Sequence, residues 1–410
     1  MPRYVRRHWY GIPGGYGRSA RSFDYEAFVP DTLDSLEVNY SAGLVEAITE
    51  AELAIRDLEG SANIAGLESL SHQLLRAESV ASSWIEGLQL SQRRLARALF
   101  DADAADSTAR AVMGNIEAME QAIRLGEEAR ALAPDDVLSI HRRLLERTLD
   151  AAIAGRFREQ QNWIGRDPGS PYEAEFVPPP ESEVPGLVAD LCTFMNRTDL
   201  PAIAQAAVAH AQFETIHPFA DGNGRVGRAL IHVVLRRRGV VGDFVPPVSV
   251  VLAANVRRYV DGLRAFRQGE PAEWCETFAR SLRAAAVASV ELGGQFLALQ
   301  ESWREAAGRP RRGSATDKLI GSLARRPILD INAAAQLVGV SYPQARKAVL
   351  SLEAAGALEP VVVGRRRNRA WEASAIIALL DDFEFGVATP TRDGEPRRPS
   401  PERRTGKAAT

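Results

Sequence analysis

The run HPFADGNGRVGR, from His217 to Arg228, gathers one histidine, one aspartate, one asparagine, three glycines and two arginines into twelve residues. Gly222 and Gly224 free the backbone to fold back, so that successive N–H groups converge on an anion. A helix beginning near Arg225 adds the positive end of its dipole and its unpaired N–H groups. Arg225 and Arg228 contribute planar charge suited to bidentate phosphate contacts. These are the requirements of a polyphosphate site, although the lysine of a P-loop is missing. Asp221 is a hard oxygen ligand suited to the Mg²⁺ that accompanies a nucleotide. His217, with an ordinary pKa of about 6.5, takes up a proton near neutral pH. A base beside a metal-bound phosphate chain points to transfer onto a hydroxyl nucleophile. A lone histidine or a lone GxG reads more simply as a tight turn between two core helices. Eight constrained positions in twelve weigh against that simpler account.

Such a loop must be held between two helices, here one ending near Ile216 and one beginning near Arg225. The surrounding sequence supplies helical periodicity almost throughout. VEAITEAELAIRDLEG places apolar residues at spacings of three and four. LESLSHQLLRAESVASSWIEG aligns Leu70, Leu74, Ala77, Ala81 and Ile85 in one stripe, with Gly87 as its C-cap. More helices follow to about residue 150. NWIG and EAEFV then read as short strands around the turn residues RDPGSP, a β-hairpin. Helices resume at VPGLVADLCTFMNR and AIAQAAVAHAQFETI, and a long helix runs to about Gly308. TDKLIGSLA, NAAAQLVGV and SYPQARKAVLSLEAAG are three short helical patterns, followed by ALEPVVVGRRRNRAWEA as a two-stranded ribbon.

Composition narrows the class. An apolar fraction of 45% and a charged fraction of 25% describe an ordinary globular protein. Cys192 and Cys275 are too few for a disulfide framework or a zinc site and read as buried and inert. No continuous apolar run reaches the roughly 20 residues of a membrane span, and RYVRRHWYGIPGG lacks the apolar stretch of a signal peptide. A cytoplasmic protein without a membrane partner is expected. The net charge of −3 conceals an uneven distribution. Residues 1–22 hold five arginines and no acid, 23–310 hold 28 basic and 42 acidic residues, and 311–380 hold 11 basic and 5 acidic. Only the basic C-terminal module is therefore suited to nucleic acid.

The loop resembles the signature of the Fic family, HPFx(D/E)GNGRxxR, at His217, Pro218, Phe219, Asp221, Gly222, Asn223, Gly224, Arg225 and Arg228. YEAFVP, GRFREQQNWIG, FVPPPE and AHAQFETIHPF also look like family segments, so the resemblance covers roughly residues 23–280. It implies an all-α core and transfer of AMP from ATP to a protein Ser, Thr or Tyr hydroxyl, with loss of diphosphate. In that scheme His217 is the base and Asp221 holds Mg²⁺. Gly222, Asn223 and Gly224 hold the inner phosphates, and Arg225 and Arg228 the outer ones. Glu175, Phe176 and Val177 fall in the family's flap, which adds a target backbone as a strand. Pro218 and Phe219 shape the loop. A kinase-like branch has lysine at the second glycine and lacks the final arginine, so Gly224 and Arg228 favour adenylyl transfer. The full ATP-type loop also argues against the phosphocholine-transferring branch.

SSWIEG would ordinarily be part of a solvated helix face. Beside a Fic core, Ser82, Glu86 and Gly87 resemble the family's inhibitory helix, (S/T)xxxE(G/N), in its intramolecular, N-terminal form. The resemblance implies that Glu86 pairs with Arg228 and blocks the productive γ-phosphate pose. Residues 314–380 resemble a winged helix-turn-helix, with Ser341 capping the recognition helix and VVVGRRRNRA as the wing. Arg346, Lys347, Arg365, Arg366, Arg367 and Arg369 would supply phosphate contacts. The expected layout is an N-terminal arm over 1–30, a helical region with the inhibitory helix over 31–125, and a Fic core over 126–308. The winged helix-turn-helix over 314–385 and a disordered tail over 386–410 complete it. The fold class is mainly α: an all-helical core with a small hairpin flap and the winged module. His8, His72, His141, His210 and His232 read as surface or core residues, with His210 as a buttress. Two functions compete: an autoinhibited nucleotidyltransferase acting on a target protein or on itself, and a DNA-binding regulator whose core senses nucleotide. A homodimer is compatible with either.

Overall fold

The computed structural model of the 410-residue chain describes residues 2–11, 21–61, 68–165, 170–242, 244–363 and 369–388. It opens with strands β1 (Arg3–Trp9) and β2 (Phe23–Val29), followed by α1 (Ala42–Ser61), α2 (Glu68–Ile85), α3 (Gln92–Phe100), α4 (Ser107–Glu127) and α5 (Pro134–Leu145). Next come α6 (Val184–Met195), α7 (Ala202–Ile216), α8 (Asn223–Arg237), α9 (Val248–Ala254), α10 (Val256–Arg267) and the 36-residue α11 (Pro271–Ala306). The C-terminal part holds α12 (Ala315–Ser322), β3 (Ile328–Leu329), α13 (Ile331–Val338), α14 (Tyr342–Ala354), β4 (Glu359–Val361), β5 (Ala370–Glu372) and α15 (Ser374–Ala388).

Local chemistry sets the helix ends. Asp106 Oδ1 accepts from Ala109 N at 2.8 Å to start α4, and Asp330 does the same for α13 through Ala333 N at 2.7 Å. Past α2, Gly87 adopts φ +81°, with Gly87 N–H bonded to Trp84 O at 2.8 Å and Leu88 N–H to Ser83 O at 3.0 Å. That paired closure is a Schellman motif, and it ends α2 at Ile85 with Glu86 as the C-cap residue.

Two apolar cores share α2 and α11. The larger is built from α1, α4 to α8, α10 and the first half of α11, with Phe213, Phe219, Trp274 and Phe278 fully buried. In the second, Leu70, Leu74, Ala77 and Ala81 of α2 meet Leu319, Leu323, Val349 and Leu352 of the C-terminal helices. The apolar stripe of α2 therefore faces the C-terminal part, while its polar face turns to α8. At the root of that polar face Glu78, fully buried, lies 3.1 Å from His232 Nε2 on α8. It also accepts from Ser249 N at 2.7 Å and Ser249 Oγ at 2.5 Å in the first turn of α9.

Several expectations are corrected. Residues 1–30 are not an irregular arm: β1 and β2 form an antiparallel ladder from Arg3–Val29 to Trp9–Phe23. Cross-strand pairs hold it, among them Arg6–Asp24 and the edge-on contact of Tyr4 with Phe28. Ion pairs Arg3–Glu183 and Arg7–Glu181 fasten it to the segment before α6. The expected hairpin of NWIG and EAEFV is reduced to one antiparallel bridge, Ile164 with Phe176. Pro178, Pro179 and Pro180 have no N–H to extend the ladder, and residues 166–169 of the expected turn lie outside the described residues. α11 is long and apolar enough, by length and composition alone, to cross a membrane, although charged residues interrupt its apolar sequence. Its Trp274, Cys275, Phe278 and Leu282 are packed into the larger core. α15 runs to Ala388, three residues past the expected end of the C-terminal module, and residues 389–410 of the expected tail lie outside the described residues.

Glu78→Ala should leave buried donors on His232 and Ser249 unsatisfied, each at a cost of about 1–3 kcal/mol. Urea unfolding of the full chain measures this. A change below about 0.5 kcal/mol would show that the contact does not anchor α2.

Candidate active site

The site is the junction of α7 and α8, and its shape follows from two residues with left-handed backbone. His217 ends α7 with φ +49°, an uncommon value for a residue with a Cβ. Gly222 precedes α8 with φ +80°. Between them the chain turns back on itself, which brings the first N–H groups of α8 towards the His217 side.

The turn is held by side chains from four segments. Asn223 Oδ1 accepts from Phe219 N at 2.8 Å, and its Nδ2 donates to Phe219 O at 2.8 Å. The Asn223 amide thus fixes the loop's shape through Oδ1 and one of its two Nδ2 N–H groups. Phe219, fully buried, stacks on His141 of α5 with ring centroids 3.7 Å apart and planes 8° apart. His141 Nδ1 accepts from Gly155 N at 3.0 Å, which leaves Nε2–H to donate to Asp221 O at 3.1 Å. Burial pushes the His141 pKa down to about 4, so the ring stays neutral. Arg158 donates from Nε to His217 O at 2.9 Å and reaches Gln160 O and Pro179 O with its other nitrogens. Asn162 Nδ2 donates to Phe219 O at 3.1 Å. Sequence reasoning assigned no role to His141, Arg158 or Asn162. The only trace of the last two was the segment GRFREQQNWIG, quoted without individual functions.

The chemically competent groups line this frame. Burial pushes the His217 pKa down to about 4, and Arg158 acts in the same direction. The imidazole is therefore neutral at pH 7 and free to accept a proton. The Asp221 side chain is 54% exposed and pairs with Arg225 Nη2 at 3.0 Å. Among the described residues no three His, Cys, Asp or Glu side chains converge on a metal position. A lone carboxylate beside a phosphate site suits Mg²⁺, which takes one or two protein carboxylates and completes its shell with phosphate and water.

Arg228 is the most enclosed arginine among the described residues, at 1% exposure. Its Nε donates to Ser82 Oγ at 2.8 Å, and its Nη2 donates to Ser82 O at 2.7 Å and to Glu86 Oε1 at 2.8 Å. Burial, the largest cause, works to lower its pKa, and Glu86, Tyr259 and Glu214 together more than offset it, raising it above the ordinary arginine value. Ser82 in the last turn of α2 and Glu86 at its C-cap are four residues apart and so lie on one side of the helix end. A Cβ on Gly224 would lie 2.0 Å from Glu86 Oε1, so only glycine lets the carboxylate rest on the first turn of α8.

The remaining expected site residues are more dispersed. Glu175 is exposed, and Phe176 is half-buried under the Arg267 guanidinium, 4.3 Å from the ring centroid. Val177 is buried, and its carbonyl accepts from Phe28 N at 2.9 Å, so β2 occupies that point of the flap. Arg346 and Lys347 are exposed on α14. Arg369 pairs with Glu353 at 2.6 Å and lies over Trp371. Arg365, Arg366 and Arg367 lie outside the described residues.

Comparison with known proteins agrees with this geometry. Residues 131–235 match the Fic/DOC family model, and residues 45–124 match the Fic/DOC family N-terminal model. Protein adenylyltransferase fic-1 of Caenorhabditis briggsae is 31% identical over 138 residues, 33% of this chain and 24% of that protein. Protein adenylyltransferase Fic of Aedes aegypti is likewise 31% identical over 138 residues, with the same coverage. The chain thus spans about a quarter of the length of the curated relatives it matches. The crystal structure of a Fic family protein from Desulfovibrio desulfuricans G20 shares the fold, with a TM-score of 0.52 at 22% identity, covering 82% of this chain and 98% of that one. The loop from His217 to Arg228 lies within the stretch similar to the Fic/DOC family, and Ser82 and Glu86 lie within the stretch similar to that family's N-terminal segment.

Proposed function

We propose that this protein is an autoinhibited protein adenylyltransferase, which moves AMP from ATP to a hydroxyl of a target protein or of itself. The observation that carries the reading is the enclosure of Arg228 by Ser82 and Glu86. An arginine placed to grip an outer phosphate is here satisfied by an internal carboxylate.

In the reaction, the target hydroxyl oxygen attacks the α-phosphorus and forms a new O–P bond. The bond to the β-phosphate oxygen breaks, and diphosphate leaves with the electron pair. His217 takes the hydroxyl proton on Nε2, the ring nitrogen other than the one nearest Glu214. The backbone N–H groups at Gly222, Asn223 and Gly224 face the phosphates with the positive end of α8 behind them. Arg225 neutralises charge on the outer phosphates. Asp221 would hold Mg²⁺, which would supply charge neutralisation on the phosphate chain. With Glu86 docked, Arg228 is unavailable to the γ-phosphate, and ATP cannot settle with its α-phosphorus in line.

Full-length protein incubated with α-labelled ATP tests this. Glu86→Gly should raise label incorporation well above wild type. Adding His217→Ala to that variant should lower it by about 10²–10⁴, the usual worth of a general base. Arg228→Ala should stay inactive, since it loses the clamp along with the inhibitory contact. Equal incorporation by wild type and Glu86→Gly would remove the autoinhibition.

A second activity is proposed for the C-terminal module. α13 and α14 beside a three-stranded sheet of order β3-β5-β4 are compatible with a winged helix-turn-helix, and exposed Arg346, Lys347 and Tyr342 lie on α14. Duplex DNA should be retarded by the full chain at 50 mM salt and released at 200 mM, since counterion release governs such contacts. Arg346→Glu with Lys347→Glu should abolish the shift. No retardation at low salt would make the module a protein-docking surface.

A further inference from the structure

We infer that Glu214 is a positioning residue for His217: its carboxylate, set between α7 and α8, steadies the imidazolium formed when the target hydroxyl gives up its proton. The inference deepens the adenylyltransferase reading and rests on it.

Glu214 lies three residues before His217 on α7, and its Oε2 is 3.9 Å from His217 Nδ1. No other carboxylate is within 4.0 Å of that ring among the described residues. Glu214 is 8% exposed, and its Oε1 is buried without a hydrogen-bond partner. An unsatisfied buried carboxyl oxygen costs about 1–3 kcal/mol, so its retention beside the base calls for a functional account. The surroundings are shaped for it. A Cβ on Gly227 of α8 would lie 2.4 Å from Glu214 Oε1 and 2.9 Å from the Phe213 ring. A glycine inside a helix costs about 1 kcal/mol against alanine, and here it makes the space in which the carboxyl sits.

The chemistry follows from the low polarity of the site. A buried imidazole resists protonation, as the depressed His217 pKa of about 4 indicates. A nearby carboxylate offsets that cost when the proton arrives, as the acid of a catalytic triad does for its histidine. Glu214 supplies this only when ionised. Burial, the largest cause, pushes its pKa up to about 7; Arg228 opposes the shift, Glu86 adds to it and Arg267 opposes it. The other groups facing it are His217, and His210 with Tyr259, hydrogen-bonded to each other at 2.8 Å. A raised carboxyl pKa means that the helpful anion is present above that value and lost as pH falls through it. Removing Glu86 takes away one raising cause, so the released enzyme should show its limb at or below about 7.

The test is the pH profile of auto-modification by full-length Glu86→Gly with α-labelled ATP, alone and combined with Glu214→Gln or Glu214→Asp. The Glu86→Gly profile should rise through a limb at or below pH 7. Glu214→Gln should remove that limb and lower kcat by about 10–100-fold on its alkaline side, with KM for ATP little changed. Glu214→Asp should restore a limb at reduced kcat. A Glu214→Gln profile parallel to its parent at every pH would overturn the inference, as would equal loss in kcat and rise in KM. Inactive Glu86→Gly would instead overturn the adenylyltransferase reading beneath it.

Discussion

A guanidinium buried to 1% exposure must have a counter-charge, and this requirement at Arg228 organises the structure around it. Glu86 supplies the charge, Ser82 supplies two oxygens, and Gly224 supplies the space for the carboxylate. The Schellman closure at Gly87 ends α2 at Ile85 and leaves Glu86 as its C-cap, so the carboxylate sits at the tip of the helix. At the other end, Glu78 binds α2 to α8 and α9. Glu78 and Ser82 of α2 and Glu86 at its C-cap are spaced by four, as His232, Arg228 and Gly224 are along α8, so one polar seam joins the two helices.

The strength of that seam suits a switch. Breaking a fully buried ion pair by removing one partner costs about 3–5 kcal/mol, whereas an exposed pair is worth at most about 1. The Arg228–Glu86 pair lies between these limits, because Glu86 is 36% exposed while Arg228 is enclosed. Water already reaches Glu86, so its departure costs less than the burial of Arg228 alone suggests. A γ-phosphate arriving at Arg228 would restore the counter-charge, and the exchange then becomes one anion for another. The loop itself needs no such rearrangement. Asn223, His141 and Arg158 hold its backbone in place in advance, so binding spends little energy on ordering it.

The sequence carried the helices and the anion loop clearly, because a 3.6-residue period and a dense polar motif are local signals. It carried the Ser82 and Glu86 contact only through resemblance, since nothing in SSWIEG alone names a partner 142 residues away. The β1–β2 ladder was illegible: β1 is arginine-rich, and a glycine-rich stretch separates it from β2. The flap was over-read as a hairpin because propensity favoured strands where prolines forbid a ladder. His141, Arg158 and Glu214 were missed for a common reason. Each acts through backbone atoms or through one other side chain, and such contacts leave no spacing pattern. Arg369 was assigned on charge alone, and the structure pairs it with Glu353 and Trp371.

Under the proposed function Arg228 serves either Glu86 or the γ-phosphate, and never both. Calorimetric titration of ATP and ADP into full-length wild type and Glu86→Gly, each with His217→Ala to prevent turnover, tests it directly. The account predicts similar affinity for the two nucleotides in the Glu86 form, where Arg228 is occupied. It predicts a preference for ATP of about tenfold or more once Glu86 is removed, since a charge-assisted contact is worth about 1.5–3 kcal/mol. An ATP-to-ADP ratio unchanged between the two proteins would contradict it.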